Sequence, residues 1–170
     1  AVLLTMGATQ PRDLVVPGRG YENIHFAMEY LTQQNRLNAG LDLGGDRPIS
    51  ARGRVVAVIG GGDTGSDCVG TARRQGAREI YQFEVLPKPP ELRPADTPWP
   101  VWPRVLRTSS SHEEGCNRRW SVLTKKLSGI DVRVSELHGC EVEWTQAKDG
   151  SWKMAEKPGT DFSLKVDLVL

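Results

Sequence analysis

The sequence predicts an α/β chain, with helices packed on a parallel sheet and an antiparallel meander after it. Three observations predict this. Val55 to Ile59 is a continuous apolar run, the pattern of a parallel strand covered on both faces. A glycine-packed turn and a helix-like stretch lead from it to a second strand-like run within about thirty residues, the size of one βαβ unit. Roughly the last forty residues then alternate apolar and polar side chains at period two.

The 170 residues suffice for one ordinary domain with its own core. A net charge of +1 gives no electrostatic case for nucleic acid or an anionic membrane surface. No apolar run is long enough to span a bilayer as a helix. Cys68, Cys116 and Cys140 are too few and too scattered for a disulfide framework or a zinc site. They point to a reducing compartment, and a cytoplasmic protein is expected. The chain begins AVLLTMGA and ends KVDLVL, both inside strand-like runs. We therefore expect a piece of a longer polypeptide.

In chain order, Ala1 to Leu4 reads as a strand and Thr5 to Gly20 as a loop punctuated by Pro11, Pro17 and Gly18. Ile24, Ala27, Met28 and Leu31 recur at helical spacing, which predicts a helix from Asn23 to about Asn35 with Asn23 as N-cap. Glycine-rich Asn38 to Gly53 is a connector. Arg54 to Ile59 is the first sheet strand. The helix after the glycine turn runs from Asp63 to Gln75, with Gly65, Cys68, Val69 and Ala72 on one small-residue face and Gly76 as its C′ stop. Glu79 to Leu86 is the second strand.

Pro87 to Pro103 holds seven of the eleven prolines and excludes both a helix and a central strand. A rigid surface loop anchored by packed Trp99 and Trp102 is favoured over a PxxP ligand. Ser110 or Ser111 then opens a helix, since Glu113 and Glu114 stand at the capping-box spacing. Cys116, Trp120, Leu123 and Leu127 extend it as an apolar stripe ending before Gly129. HEEGC is not a zinc motif, and Cys116 reads as a core residue. VRVSEL, CEVEW, SWKMAE and FSLKVDLVL form the meander, with a hairpin turn at Lys148-Asp149-Gly150 and a final strand from Val166 to Leu170. Trp144, Trp152 and His138 are assigned to sheet packing and surface.

The site candidate is VVAVIGGGDTGSDCVG, a buried strand, a turn and a helix start. Gly60, Gly62 and Gly65 stand at the G-x-G-x-x-G spacing. The first glycine permits the tight turn, the second lets the backbone approach a pyrophosphate, and the third lets the helix pack against the strand. The helix N-terminus then faces the phosphates. Glu84 lies nineteen residues after Gly65, at the end of the second strand. A carboxylate there accepts hydrogen bonds from the adenosine ribose and selects NAD(H), whereas a 2′-phosphate is repelled and prefers Arg. The plainer reading of Glu84 is a charged strand terminus, and Lys88 and Arg93 stand near enough to answer a phosphate.

GGGDTGSDCVGTARRQGA, LPKPPELRPADTPWPVWPRVLRTSSSHEEG and WSVLTK together resemble the small (beta) subunit of glutamate synthase and its reductase relatives. The proline–tryptophan block and RTSSSHEEG are far more specific than the glycine motif. The resemblance runs from TMGATQPRDL and NIHFAMEYL to VDLVL. It implies a Rossmann-like three-layer ββα sandwich of the glutathione-reductase type, with a C-terminal antiparallel meander. It implies that residues 1–53 are a crossover segment and connector helix, with TMGA at the first crossover. Residues 54–170 are then an NAD(P)-binding domain cut from a larger FAD-containing chain, with VDLVL at the second crossover.

The resemblance further implies hydride transfer from NADH or NADPH to FAD. Electrons then pass through iron–sulfur clusters to a large subunit that makes glutamate. By family match, the dinucleotide contacts are Gly60, Gly61, Gly62, Asp63, Thr64 and Gly65, with Asp63 also readable as an N-cap. The absence of an Arg-rich segment after the second strand, where FEVLPKPP stands, resembles the NADH-using members. The single glycine fingerprint and the missing cysteine-rich segment imply that FAD and the clusters are bound elsewhere in the full-length protein. The expected partners are the FAD domain of the same chain and the large subunit. No catalytic acid or base is assigned, because the cofactors carry the chemistry, and the piece alone is expected to be inactive. The alternatives are an NADPH-specific reductase domain of a related flavoprotein, a methyltransferase, and a non-catalytic scaffold.

Overall fold

The computed structural model describes residues 1–3 and 10–170. The TMGA stretch lies outside the described residues. Ala1 to Leu3 are exposed and form no strand, in contrast to the expectation there, and Leu4 lies outside the described residues.

The glycine turn is held by a strand–helix–strand unit. Strand β1 (Val55–Ile59) leads into helix α2 (Asp63–Arg74) and strand β2 (Glu79–Glu84), preceded in the chain by helix α1 (Ala27–Asn38). Strands β1 and β2 pair in parallel from Val55↔Glu79 to Ile59↔Phe83. Helix α2 stops as the sequence requires: Gly76 takes φ +87°, its N–H reaches Arg73 C=O, and Ala77 N–H reaches Ala72 C=O. These two bonds are the Schellman closure that a glycine at C′ permits. Helix α1 starts later than predicted, at Ala27 after Phe26, and Asn23 is no cap because it stands at φ +66°.

After the proline-rich segment comes a single helical turn, α3 (Ser110–Glu113), then strands β3 (Asn117–Trp120) and β4 (Val122–Ile130). The helix expected across the Cys116–Trp120–Leu123–Leu127 stripe does not form. Gly115 takes φ +106° and ends α3, after which β3 pairs in parallel with β2 and β4 pairs antiparallel with β5 (Arg133–Gln146). A register shift between Thr124 and Lys126 brings Leu127 inward after Val122 and Thr124, so one apolar spacing fits both a helix and a bulged strand. The helix cap also moves. Ser109 is the N-cap and His112, not a glutamate, completes the capping box.

The meander forms as expected, with VRVSEL and CEVEW fused into the long β5. Strand β6 (Trp152–Glu156) follows a turn closed by Gly150 N–H to Ala147 C=O. Strand β7 (Phe162–Lys165) pairs with the first half of β5, and β8 (Leu168–Val169) returns to pair in parallel with β1. The parallel sheet therefore has the order β3-β2-β1-β8.

Two cores follow from the alternation along β1. Val56 and Val58 face the helices with Cys68, Val69, Ala72 and Tyr30. Val55 and Ala57 face the meander with Phe83, Val122, Leu127 and Leu137. The layers are helices, parallel sheet and antiparallel sheet, the three-layer ββα sandwich. Burial in the first core pushes the Cys68 thiol up to about 12, so it stays protonated as a packing residue. Cys116 packs against the same core. Pro87 to Pro103 has no helix or strand, as expected, but its tryptophans are not packed anchors: Trp99 is 83% and Trp102 75% exposed. No helix among the described residues is long and apolar enough to cross a membrane.

Candidate functional site

The site forms at the C-terminal ends of β1 and β2. Gly60 leaves β1 at φ +129°, a conformation that L side chains rarely adopt. Its N–H still donates to Phe83 C=O at 2.8 Å, so the turn starts fastened to the neighbouring strand. Gly65 is tight: a Cβ there would stand 2.5 Å from Gly60 C=O. Gly62 is the opposite case, since a Cβ there would meet no protein atom within 4 Å. The first helical bond of α2 is Ser66 N–H to Gly62 C=O, 3.0 Å. The N–H groups of Asp63, Thr64 and Gly65 therefore point out of the helix start with no helical acceptor. Open space before Gly62 and free N–H groups beside it fit a pyrophosphate and the positive end of the helix dipole.

Glu84 joins this turn directly. Its Oε2 accepts the Gly61 N–H at 2.7 Å and its Oε1 accepts the Leu86 N–H at 3.1 Å. Gly61 lies outside the three fingerprint glycines, yet a Cβ there would meet the Glu84 carboxylate, which must move aside to admit a side chain. Each carboxylate oxygen retains a second lone pair for a ligand hydroxyl.

A cleft of ≈ 880 Å³ runs outward from Gly61, Gly62, Asp63 and Glu84. Its far walls are the proline-rich segment and Trp102, Trp120, Trp144 and Trp152. Trp120 is expected on a helix stripe, and Trp144 and Trp152 in sheet packing and surface. All three instead line the cleft, and Trp144 Nε1 donates to Val85 C=O at 2.9 Å. Lys88, Arg104, Arg107 and Arg118 also stand on the wall. Lys88 Nζ lies 5.7 Å from the centre of the Trp120 ring and Arg118 Cζ 4.9 Å from it. Arg93, offered by the sequence as a phosphate partner, instead reaches Thr97 C=O. The sequence signal for Arg104 and Arg107 was their place in the specific PWPVWPRVLRTSSSHEEG block, and Arg118 lies just beyond it. Among the described residues, no cluster of His, Cys, Asp and Glu is arranged to hold a metal.

No family model matches the chain. Over its whole length it is 49% identical across 173 residues to the glutamate synthase [NADPH] small chain of Mycobacterium tuberculosis. The whole chain is therefore similar to one region of the glutamate synthase small chains. It spans 34% of that relative's length. It is also 41% identical across 177 residues to glutamate synthase [NADH] of Schizosaccharomyces pombe, covering all of this chain and 8% of that relative.

The fold is recognisable in solved structures. Mycobacterium tuberculosis FprA in complex with NADPH superposes with a TM-score of 0.65 at 15% identity, covering 96% of this chain and 47% of FprA. Thioredoxin reductase of T. acidophilum gives 0.51 at 14% identity, covering 93% and 39%. These likenesses establish the architecture: the Rossmann-like three-layer sandwich of the glutathione-reductase type with its antiparallel meander.

Proposed function

We propose that the cleft binds NAD(P)H and that the chain is the pyridine-nucleotide domain of a glutamate-synthase-type flavoprotein. The observation that carries this reading is the open space at Gly62, flanked by free N–H groups and by the Glu84 carboxylate on the same turn. In this reading Gly60, Gly61, Gly62, Asp63, Thr64 and Gly65 cradle the pyrophosphate. Glu84 accepts from the adenosine ribose, and the tryptophan-lined end of the cleft receives the adenine. When bound, the dinucleotide supplies a hydride to FAD, and the residues of this chain bind and orient it. The FAD domain, the iron–sulfur clusters and the large subunit that makes glutamate belong to the whole protein. Residues 1–53 would connect to that FAD domain and residues 54–170 would carry the nucleotide.

Glu84 favours NADH in this reading. A second reading, NADPH, is favoured by Lys88 and Arg118 on the same wall, where a 2′-phosphate would find cations. Calorimetric titration of the full-length protein with NADH and with NADPH tests both. Tighter binding of NADH supports the Glu84 role. Tighter binding of NADPH transfers specificity to the cationic wall, and binding of neither overturns the site.

A further inference from the structure

Behind the glycine turn, a line of hydrogen bonds crosses the helical layer. Ser109 N–H donates to His112 Nδ1 at 3.2 Å. His112 Nε2 meets Gln82 Oε1 at 2.9 Å, and Gln82 Nε2 donates to Gly60 C=O at 2.9 Å. The direction of this line is fixed at both ends by backbone groups that have no choice of role. A carbonyl only accepts, so the Gln82 amide nitrogen faces Gly60 and its oxygen faces His112. A backbone N–H only donates, so His112 Nδ1 is bare and Nε2 carries the proton. Burial and the Arg118 guanidinium both hold His112 below its ordinary value, which agrees with a neutral ring.

Gln82 is 2% exposed and sits in the middle of β2, where an apolar side chain would be ordinary. Its amide also borders Gly65, 3.0 Å from where a Cβ would stand. A second link joins the same segments, since the Ser66 and Ser109 hydroxyls hydrogen-bond to each other at the first turn of α2. Ser111 of α3 packs against Gly70, where a Cβ would stand 2.5 Å from its Oγ. Ser109, His112 and Ser66 all line the cleft.

We infer that His112 is a positioning residue for nucleotide binding: through Gln82 it fixes the Gly60 carbonyl and so the turn that receives the phosphates. The inference rests on the dinucleotide reading above. It gives the SSSHEEG segment a specific task, which is to supply one N–H donor to a buried amide. The requirement is for a donor at the Nε2 position, and a glutamine side chain can reach that position while asparagine falls short.

The test is the affinity of the full-length protein for NADH and NADPH, measured by calorimetry on variants. His112→Leu and Gln82→Leu should each weaken the preferred nucleotide about tenfold, the double variant no further, and His112→Gln should stay within about threefold of the unaltered protein. Equal affinity of His112→Leu and the unaltered protein overturns the inference, as does full additivity of the two leucine variants. If the leucine variants fail to fold, His112→Gln and His112→Asn carry the test. Tighter binding by the glutamine variant supports the donor role, and equal binding overturns it. Failure of the unaltered protein to bind either nucleotide overturns the dinucleotide reading itself, which is a separate result.

Discussion

Glu84 Oε2 accepts the Gly61 N–H at 2.7 Å, so one carboxylate ties the end of β2 to the turn that leaves β1. The bond explains why a third consecutive glycine stands in GGG, and it makes Glu84 a part of the turn as well as a wall of the cleft.

Gly61→Ala puts a methyl group against the Glu84 carboxylate, on ordinary backbone dihedrals. The carboxylate must swing away and release the turn. Nucleotide affinity should fall about tenfold, the scale of a lost charge-assisted hydrogen bond. Calorimetry reads the affinity and a thermal melt confirms that the fold is retained.

Gly65→Ala acts differently, because the obstacle is backbone. A Cβ there would stand 2.5 Å from Gly60 C=O, and neither strand nor helix can yield cheaply. We expect a loss of about 1–3 kcal/mol in chemical denaturation, the range for overpacking a close contact. Unchanged stability would show that α2 can shift along its axis at little cost.

Glu84→Gln and Arg118→Ala separate the two nucleotide readings. Glu84→Gln removes a charge that repels a 2′-phosphate and should raise the NADPH-to-NADH affinity ratio several-fold, by about 1 kcal/mol. Arg118→Ala should lower the same ratio if that guanidinium faces the 2′-phosphate. Paired titrations with the two nucleotides measure both.

Leu137→Ala tests the core under the meander. Leu137 is fully buried between the two sheets with Phe83, Val122 and Leu127. The change should cost about 2–5 kcal/mol. A urea titration checks this, with an unaltered slope as the sign of an intact two-state transition.

Acidification should destabilise the fold through two imidazoles. His25 and His112 both lie below the ordinary 6.5, chiefly because burial penalises the charged ring. Glu29 opposes the shift at His25, while Arg19 and Arg54 add to it; Arg118 adds to it at His112. The unfolded chain then binds protons more readily than the folded one, so this contribution is intact above pH 6.5 and is lost as pH falls through the folded values. Urea midpoints between about pH 7.5 and pH 5 measure the slope, and His112→Gln should flatten it.

The βαβ unit was legible because each of its signals is local. The apolar run of β1, the glycines of the turn and Gly76 act through backbone sterics and hydrogen bonds within a few residues of themselves. The two kinds of sheet were legible from two periodicities, continuous apolar in the parallel strands and alternating in the meander, while their layering was implied only by the family resemblance. The same locality misled the reading at Cys116 to Leu127, whose spacing satisfies a helix and a bulged strand alike. Pairing partners ten or more residues away, Tyr81 to Glu84 on one side and Leu137 to Glu141 on the other, decided for strands.

The site divides in the same way. The sequence by itself determined the glycine turn, the acidic end of β2 and the resemblance to glutamate synthase small chains, because these reside in residue type and spacing. Only the tertiary structure decided that Glu84 binds Gly61, that Gln82 and His112 stand behind the turn, and that Trp120, Trp144 and Trp152 wall the cleft rather than fill a core. Those contacts join segments 22 to 59 residues apart. Hydrogen bonds and packing at that separation depend on where the sheet brings its strands together, which spacing along the chain does not encode.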